Sequence, residues 1–130
     1  MKISLCRHAT SMWVAQLAGS IDEVVEQLSA THPHAFWSLT STPDEISLVS
    51  PLEHHEAFSA CEGPWTLFEV EGPLDFGLTG ILNSLTKPMA DAGISIFAIS
   101  TYDTDYILVK SDVADYAHAV WQQSGFGVTG

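Results

Sequence analysis

Residues 71–110 read EGPLDFGLTGILNSLTKPMADAGISIFAISTYDTDYILVK, and this stretch decides the fold. Leu78, Ile81, Leu82, Leu85 and Met89 recur at helical steps, which predicts one apolar face of an amphipathic helix. Gly93 follows the last helical residue and suits a left-handed C-terminal cap. Residues 94–100 and 106–110 are rich in Ile, Phe, Tyr and Val and read as strands, joined by the polar turn Tyr102-Asp103-Thr104-Asp105. A loop at 71–74, a helix and then a hairpin make up half of a βαββαβ unit.

Working outward, FWSLTSTPDEISLVS (36–50) aligns without a gap on IFAISTYDTDYILVK (96–110), an offset of 60 residues. Leu48 falls on Leu108, Val49 on Val109, Thr40 and Ser41 on Ser100 and Thr101, and Glu45 on Asp105. The shared order of strand, acidic turn and strand is what a duplicated hairpin leaves behind, and the offset is near half the chain. The expected organisation is therefore two small units, residues 1–63 and 64–130. A unit of about 60 residues buries its core poorly alone, so two such units are expected to pack together.

The remaining pattern fills in both units. Residues 2–7 and 12–17 read as short strands. Ser20 and Glu23 form a capping-box signature before Ile21, Val24, Val25 and Leu28, which share a helix face. Residues 35–41 and 45–49 form the first hairpin, turning at Thr42-Pro43-Asp44. Residues 51–63 are a polar connection with room for a short helix, and 64–70 a strand. A helix over 112–123 and a strand around 126–128 close the chain. The strands at 94–99 and 106–109 are apolar on both faces, so something must cover the second face, either the first unit or a second copy.

Composition restricts the function. Apolar residues make up 46% and charged residues 15%, which fits a well-cored protein and not a disordered one. The net charge is −12, with only Lys2, Arg7, Lys87 and Lys110 basic, so binding to nucleic acid or to an anionic membrane surface is excluded as an expectation. The same charge favours a ligand with a cationic group or a basic protein surface, and it keeps a protein soluble. There is no apolar run of the length needed to span a bilayer and no signal-peptide pattern, so the expected location is cytoplasmic. Cys6 and Cys61 lack metal or redox spacing and are expected as free thiols.

His32 and His34 form H-x-H and His54 and His55 are adjacent, but Pro33 argues for a loop and no familiar metal spacing accompanies them; no metal or cofactor is expected. There is no G-x-S-x-G elbow, P-loop or dinucleotide fingerprint, and the expectation is a protein that is not an enzyme. The segment GPLDFGLT (72–79) is more informative. Gly77 permits close backbone approach, and the amides of Leu78, Thr79 and Gly80 at a helix start suit a carboxylate. Asp75 is either a helix cap or a partner for an ammonium group, and Asp103 and Asp105 carry the same two readings.

On the residues EGPLDFGLTGIL (71–82) and AGISIFAISTYDTDYILVK (92–110), the chain resembles the ACT-like domains of the CASTOR family, which includes animal cytosolic arginine sensors and short bacterial ACT-domain proteins. FWSLTSTPDEISLV (36–49), followed by residues 64–71, resembles the unit preceding that domain. The resemblance implies an α+β fold: tandem ACT units, ferredoxin-like βαββαβ, with antiparallel sheets and helices on one face. It implies a non-enzymatic regulatory protein that binds a small molecule, an amino acid, as a homodimer; the alternative is an ACT-based protein–protein interaction module with no ligand of its own. It also implies a site at Ser95 and Ile96 on the strand start, with Asp105 contributed by a partner domain. The loop residues Asp75, Phe76, Gly77, Leu78 and Thr79 complete the expected set, although the helix start DFGLTG is longer than in the arginine-contacting domain, so arginine itself is not implied. The sensors hold more ACT units than this chain, and a homodimer would restore the count.

Overall fold

The computed structural model describes residues 3–72 and 80–130. Eight strands and three α-helices follow one another in this part of the chain: β1 (Ser4–Arg7), β2 (Met12–Leu17), α1 (Ile21–Thr31), β3 (Ser38–Ser41), β4 (Ile46–Ser50), β5 (Phe58–Val70), α2 (Ile81–Asp91), β6 (Ile96–Ser100), β7 (Asp105–Lys110), a 3-10 turn (Ser111–Val113), α3 (Ala114–Gln123) and β8 (Gly127–Thr129). The chain divides into two compact units, one formed by Met1–Thr10 with Trp65–Gly130, the other by Ser11–Pro64.

The division departs from the expected 1–63 and 64–130 in its first residues. β1 belongs to the later unit, because its neighbours lie there: Leu5 pairs antiparallel with Val70 on β5 and parallel with Val128 on β8. Leu5 is fully buried in the core of that unit. Ser11–Pro64 is thus an insertion between the first strand of the outer unit and the rest of it.

In the outer unit the strand order is β6-β7-β5-β1-β8, with β5 contributing residues 65–70. Its pairings are antiparallel except for β1 with β8, a departure from the expected all-antiparallel sheet that arises because β1 is slotted in beside the last strand. Leu85 and Met89 of α2 and Ala114, Ala117 and Trp121 of α3 pack on Phe68, Val70, Ile107 and Val109, so both helices cover one face of the sheet. Phe68 and Trp121 meet edge-on at 4.8 Å, and the indole N–H of Trp121 donates to the Leu85 carbonyl at 2.9 Å, which ties α3 to α2. Leu67 and Leu108 point to the other face by strand alternation and are also fully buried, as expected from strands apolar on both sides.

In the inserted unit the order is β3-β4-β2-β5, the last through residues 58–64. Val24 and Leu28 of α1 pack with Ala15, Leu17, Leu48 and Leu52. Ser20 caps α1 by accepting the Asp22 amide at 3.2 Å. Residues 51–57 form turns without a helix, and residues 58–63, expected as part of the connection, belong to β5. Glu62 and Gly63, expected in the connection, lie inside β5, whose neighbour in this unit is β2.

Both hairpins hold the same position. The outer strand lies at a sheet edge, and the inner strand runs antiparallel to the strand that precedes the helix of its unit, β4 with β2 and β7 with β5. Their turns are also alike. The Thr42 amide donates to the Glu45 carbonyl and the Thr101 amide to the Thr104 carbonyl, each at 2.8 Å, and each threonine hydroxyl donates to the same carbonyl. Thr42 and Thr101 are 59 residues apart, however, not 60. The residue equivalent to the core-facing Leu48 is therefore Ile107, and Leu108 faces the other way. The gapless alignment paired like letters one step out of register, and one step in a strand moves every side chain to the opposite face.

Candidate functional site

The expected loop residues Asp75, Phe76, Gly77, Leu78 and Thr79 lie outside the described residues; the chain on either side of them is described. Val70 ends β5, and its carbonyl accepts the Thr104 hydroxyl at 2.6 Å, while the Glu71 amide donates to the Ser4 carbonyl at 2.9 Å. Thr104 is only 7% exposed, so the tip of the second hairpin is fastened to the start of the loop. Replacing it by the isosteric valine in Thr104→Val should cost about 1–3 kcal/mol of stability, the penalty for a buried acceptor left unpaired. Urea unfolding with an unchanged midpoint would count against this fastening.

On the far side of the loop, α2 begins at Ile81 with Gly80 as its cap at φ 76°. Gly80 in that left-handed region starts the helix, so the first amides of α2 without an intrahelical partner are those of Ile81, Leu82 and Asn83. The buried face is Leu85 and Met89, with Ile81 partly buried; Leu82, expected on that face, is exposed.

Ser95 is exposed immediately before β6, and Ile96, the first residue of that strand, leans on the core. Ser95 lines a cleft of about 270 Å³ together with Ala92, Ile94, Lys110, Asp112 and Tyr116. Each wall has its own cause. Gly93, at φ 73°, ends α2 and turns the chain into β6. Lys110 sits opposite Trp65 in the β5–β7 register, with its ammonium 5.2 Å from the centre of the indole ring. Trp65 in turn meets Phe97 edge-on at 4.7 Å. Asp112 lies in the 3-10 turn, whose Ser111 hydroxyl is 2.9 Å from the hydroxyl of the buried Thr66. Tyr116, on α3, is 54% exposed at the rim. The cleft residues Lys110, Asp112 and Tyr116 were not singled out from sequence. Lys110 stood out there only as one of four basic residues, and nothing in their spacing joins the three.

Asp105 sits at the opposite end of the hairpin. Ile96 pairs with Val109 at one end and Ser100 with Asp105 at the other, roughly 13 Å away at ~3.3 Å per strand residue. The Ser100 hydroxyl donates to Asp105 Oδ1 at 2.5 Å. One chain therefore does not bring Asp105 to Ser95 and Ile96. Nearby, burial first and then the carboxylates of Glu69 and Asp103 push the Tyr106 phenol up, so it stays a neutral hydrogen-bonding group. Among the described residues no three His, Cys, Asp or Glu side chains are grouped to hold a metal ion, and no helix is long and apolar enough to cross a membrane. Cys6 and Cys61 are free thiols; burial and then Glu53 push the Cys61 thiol up.

Residues 60–120, from β5 into α3, match the family model of the ACT domain. Over this stretch the chain is similar to an ACT domain. The human putative protein CASTOR3P is 35% identical to it over 65% of this chain and 61% of its own length. The human cytosolic arginine sensor for mTORC1 subunit 1 is 30% identical over 68% of this chain, but the match spans only 30% of the sensor. Among solved structures, protein Atu0741 from Agrobacterium tumefaciens matches over 98% of this chain and 92% of its own at a TM-score of 0.82, with 27% identity. The matched ACT stretch leaves out β1, which the outer unit nevertheless needs to fill its sheet.

Proposed function

We propose that this protein is a regulatory module without catalytic activity that binds a free amino acid, as a homodimer in which both units are ACT-like. The ACT match and the kinship with proteins named as arginine sensors support the class of ligand. The observation that carries the reading is the free edge of β6, which pairs only with β7 among the described residues. This strand, Ile-Phe-Ala-Ile-Ser, has no proline or charge to protect its edge. Antiparallel pairing of two β6 edges about a two-fold axis would set the Ser95 end of one copy beside the Asp105 end of its partner. In this arrangement the ligand carboxylate takes donors from the Ser95 and Ile96 backbone, and its ammonium takes the second copy's acid. The loop residues 75–79 remain part of the proposed site, with Asp75 as the second candidate acid.

Two measurements test this reading. Light scattering at micromolar concentration should give about twice the 14.1 kDa chain mass, and a monomer would remove the composite site. Thermal unfolding with each of the twenty amino acids should single out a ligand. At about 100 times its dissociation constant, a ligand adds about 2.7 kcal/mol and raises the midpoint by several degrees. A stable dimer that no amino acid stabilises would favour an interaction module instead.

A further inference from the structure

The inserted unit has a free strand edge of its own. β3 pairs only with β4 among the described residues, and its sequence Ser-Leu-Thr-Ser holds no charge or proline to protect that edge. The hairpin register fixes what the edge offers. The Thr42 amide donates to the Glu45 carbonyl at the turn, and hydrogen-bonded pairs alternate from there along the antiparallel ladder. Ser38 and Thr40 therefore turn their main-chain groups to β4, while Leu39 and Ser41 turn theirs outward. Trp37, 37% exposed, lies at one end of the edge, and the exposed Asp44 and Glu45 lie in the turn at the other. The Thr42 hydroxyl accepts the Asp44 and Glu45 amides at 3.2 and 3.1 Å, so the turn does not need their carboxylates. We infer that this edge docks an extended segment of a partner protein rich in lysine or arginine, which joins the sheet beside β3.

Charge decides the occupant. The inserted unit, Ser11–Pro64, carries half of the chain's 16 acidic residues and none of its 4 basic ones, which are Lys2, Arg7, Lys87 and Lys110. Pairing with the β3 edge of a second copy would bring two purely acidic units together, and an acidic peptide would meet the same repulsion. A basic strand gains instead. Its main-chain groups pair with those of Leu39 and Ser41, one basic side chain reaches Asp44 or Glu45, and another lies over the exposed Trp37 ring. β3 has only 4 residues, so main-chain pairing alone makes a weak contact, and the flanking indole and carboxylates choose the segment that stays. This surface lies in the inserted unit and does not depend on the amino-acid site proposed for the outer one.

Fluorescence anisotropy of short labelled peptides on the full chain tests this. The probes are peptides of alternating lysine and threonine, alternating glutamate and threonine, and alternating lysine and proline. The lysine–threonine peptide should bind at least about tenfold tighter than either of the others, and its affinity should fall as salt rises. Amide signals of Leu39 and Ser41 should shift on binding in NMR spectra. Ser41→Pro removes an outward donor without taking a hydrogen bond from β4, and it should lower the affinity to that of the lysine–proline peptide. Asp44→Asn combined with Glu45→Gln leaves the turn amides on Thr42; it should also weaken binding and flatten its salt dependence, and it decides the matter should Ser41→Pro not fold. Equal binding of the lysine–proline peptide would reduce the effect to diffuse charge attraction and overturn the inference. Leu39 and Ser41 amides that do not move, or affinity unchanged in the neutralised turn, would overturn it as well. A folded Ser41→Pro chain whose mass in light scattering falls would give the edge to a second copy and overturn it too.

Discussion

Asp105→Asn is expected to weaken binding of the best amino-acid ligand by roughly 10- to 150-fold, from the loss of about 1.5–3 kcal/mol in one charge-assisted hydrogen bond. The fold should survive. Asp105 accepts the Ser100 hydroxyl through Oδ1, and an asparagine oxygen in the same place accepts it equally. The backbone pairing of Ser100 with Asp105 does not involve the side chain. The proposed dimer should also survive, because strand edges pair through main-chain groups. Titration calorimetry combined with light scattering separates the outcomes. Unchanged affinity in a folded, dimeric variant would remove Asp105 from the site and leave Asp75 as the candidate acid. Loss of the dimer together with binding would instead make Asp105 part of the interface.

A chain starting at residue 64 should fail to fold cooperatively, although it contains nearly all of the matched ACT stretch. It lacks β1, which lies between β5 and β8 and pairs with both. The missing segment also removes Leu5, fully buried in the outer core, and the 2.8 Å contact from Arg7 to Asp115 on α3. A domain is stable by only about 5–15 kcal/mol, and two unpaired inner strand edges with a hole in the core exceed what one this small can absorb. In the full chain the milder Leu5→Ala should cost about 2–5 kcal/mol. Circular dichroism and urea unfolding test both variants, and a sharp, cooperative transition for residues 64–130 alone would show that β1 is dispensable.

Local features of the fold were readable from sequence. The helix face Leu85 and Met89, the Ser20 cap and the Thr42 turn depend on residues within a few positions of one another, and all are present; the second turn runs from Thr101 to Thr104, one residue before the expected 102–105. The pattern failed at residues 58–63, expected in a polar connection but part of β5, whose neighbour in the inserted unit is β2. It failed again at Leu82, expected on the buried face of α2 and exposed. Of the expected site, Ser95, Ile96 and Asp105 fall at the two ends of one hairpin, a placement the sequence pattern contained but did not interpret.

By itself, the sequence determined the order of elements, the two hairpins and the character of their turns, because periodicity, caps and turn chemistry act over a few residues. Only the tertiary structure decided that β1 belongs to the later unit, that the hairpins correspond at 59 residues and not 60, and that Lys110 and Asp112 share a cleft with Ser95. The physical reason is common to all three. Strand partners, register and cleft walls are chosen by which faces and edges can be buried together, and residues such as Leu5 and Val128 meet only after the whole chain has folded.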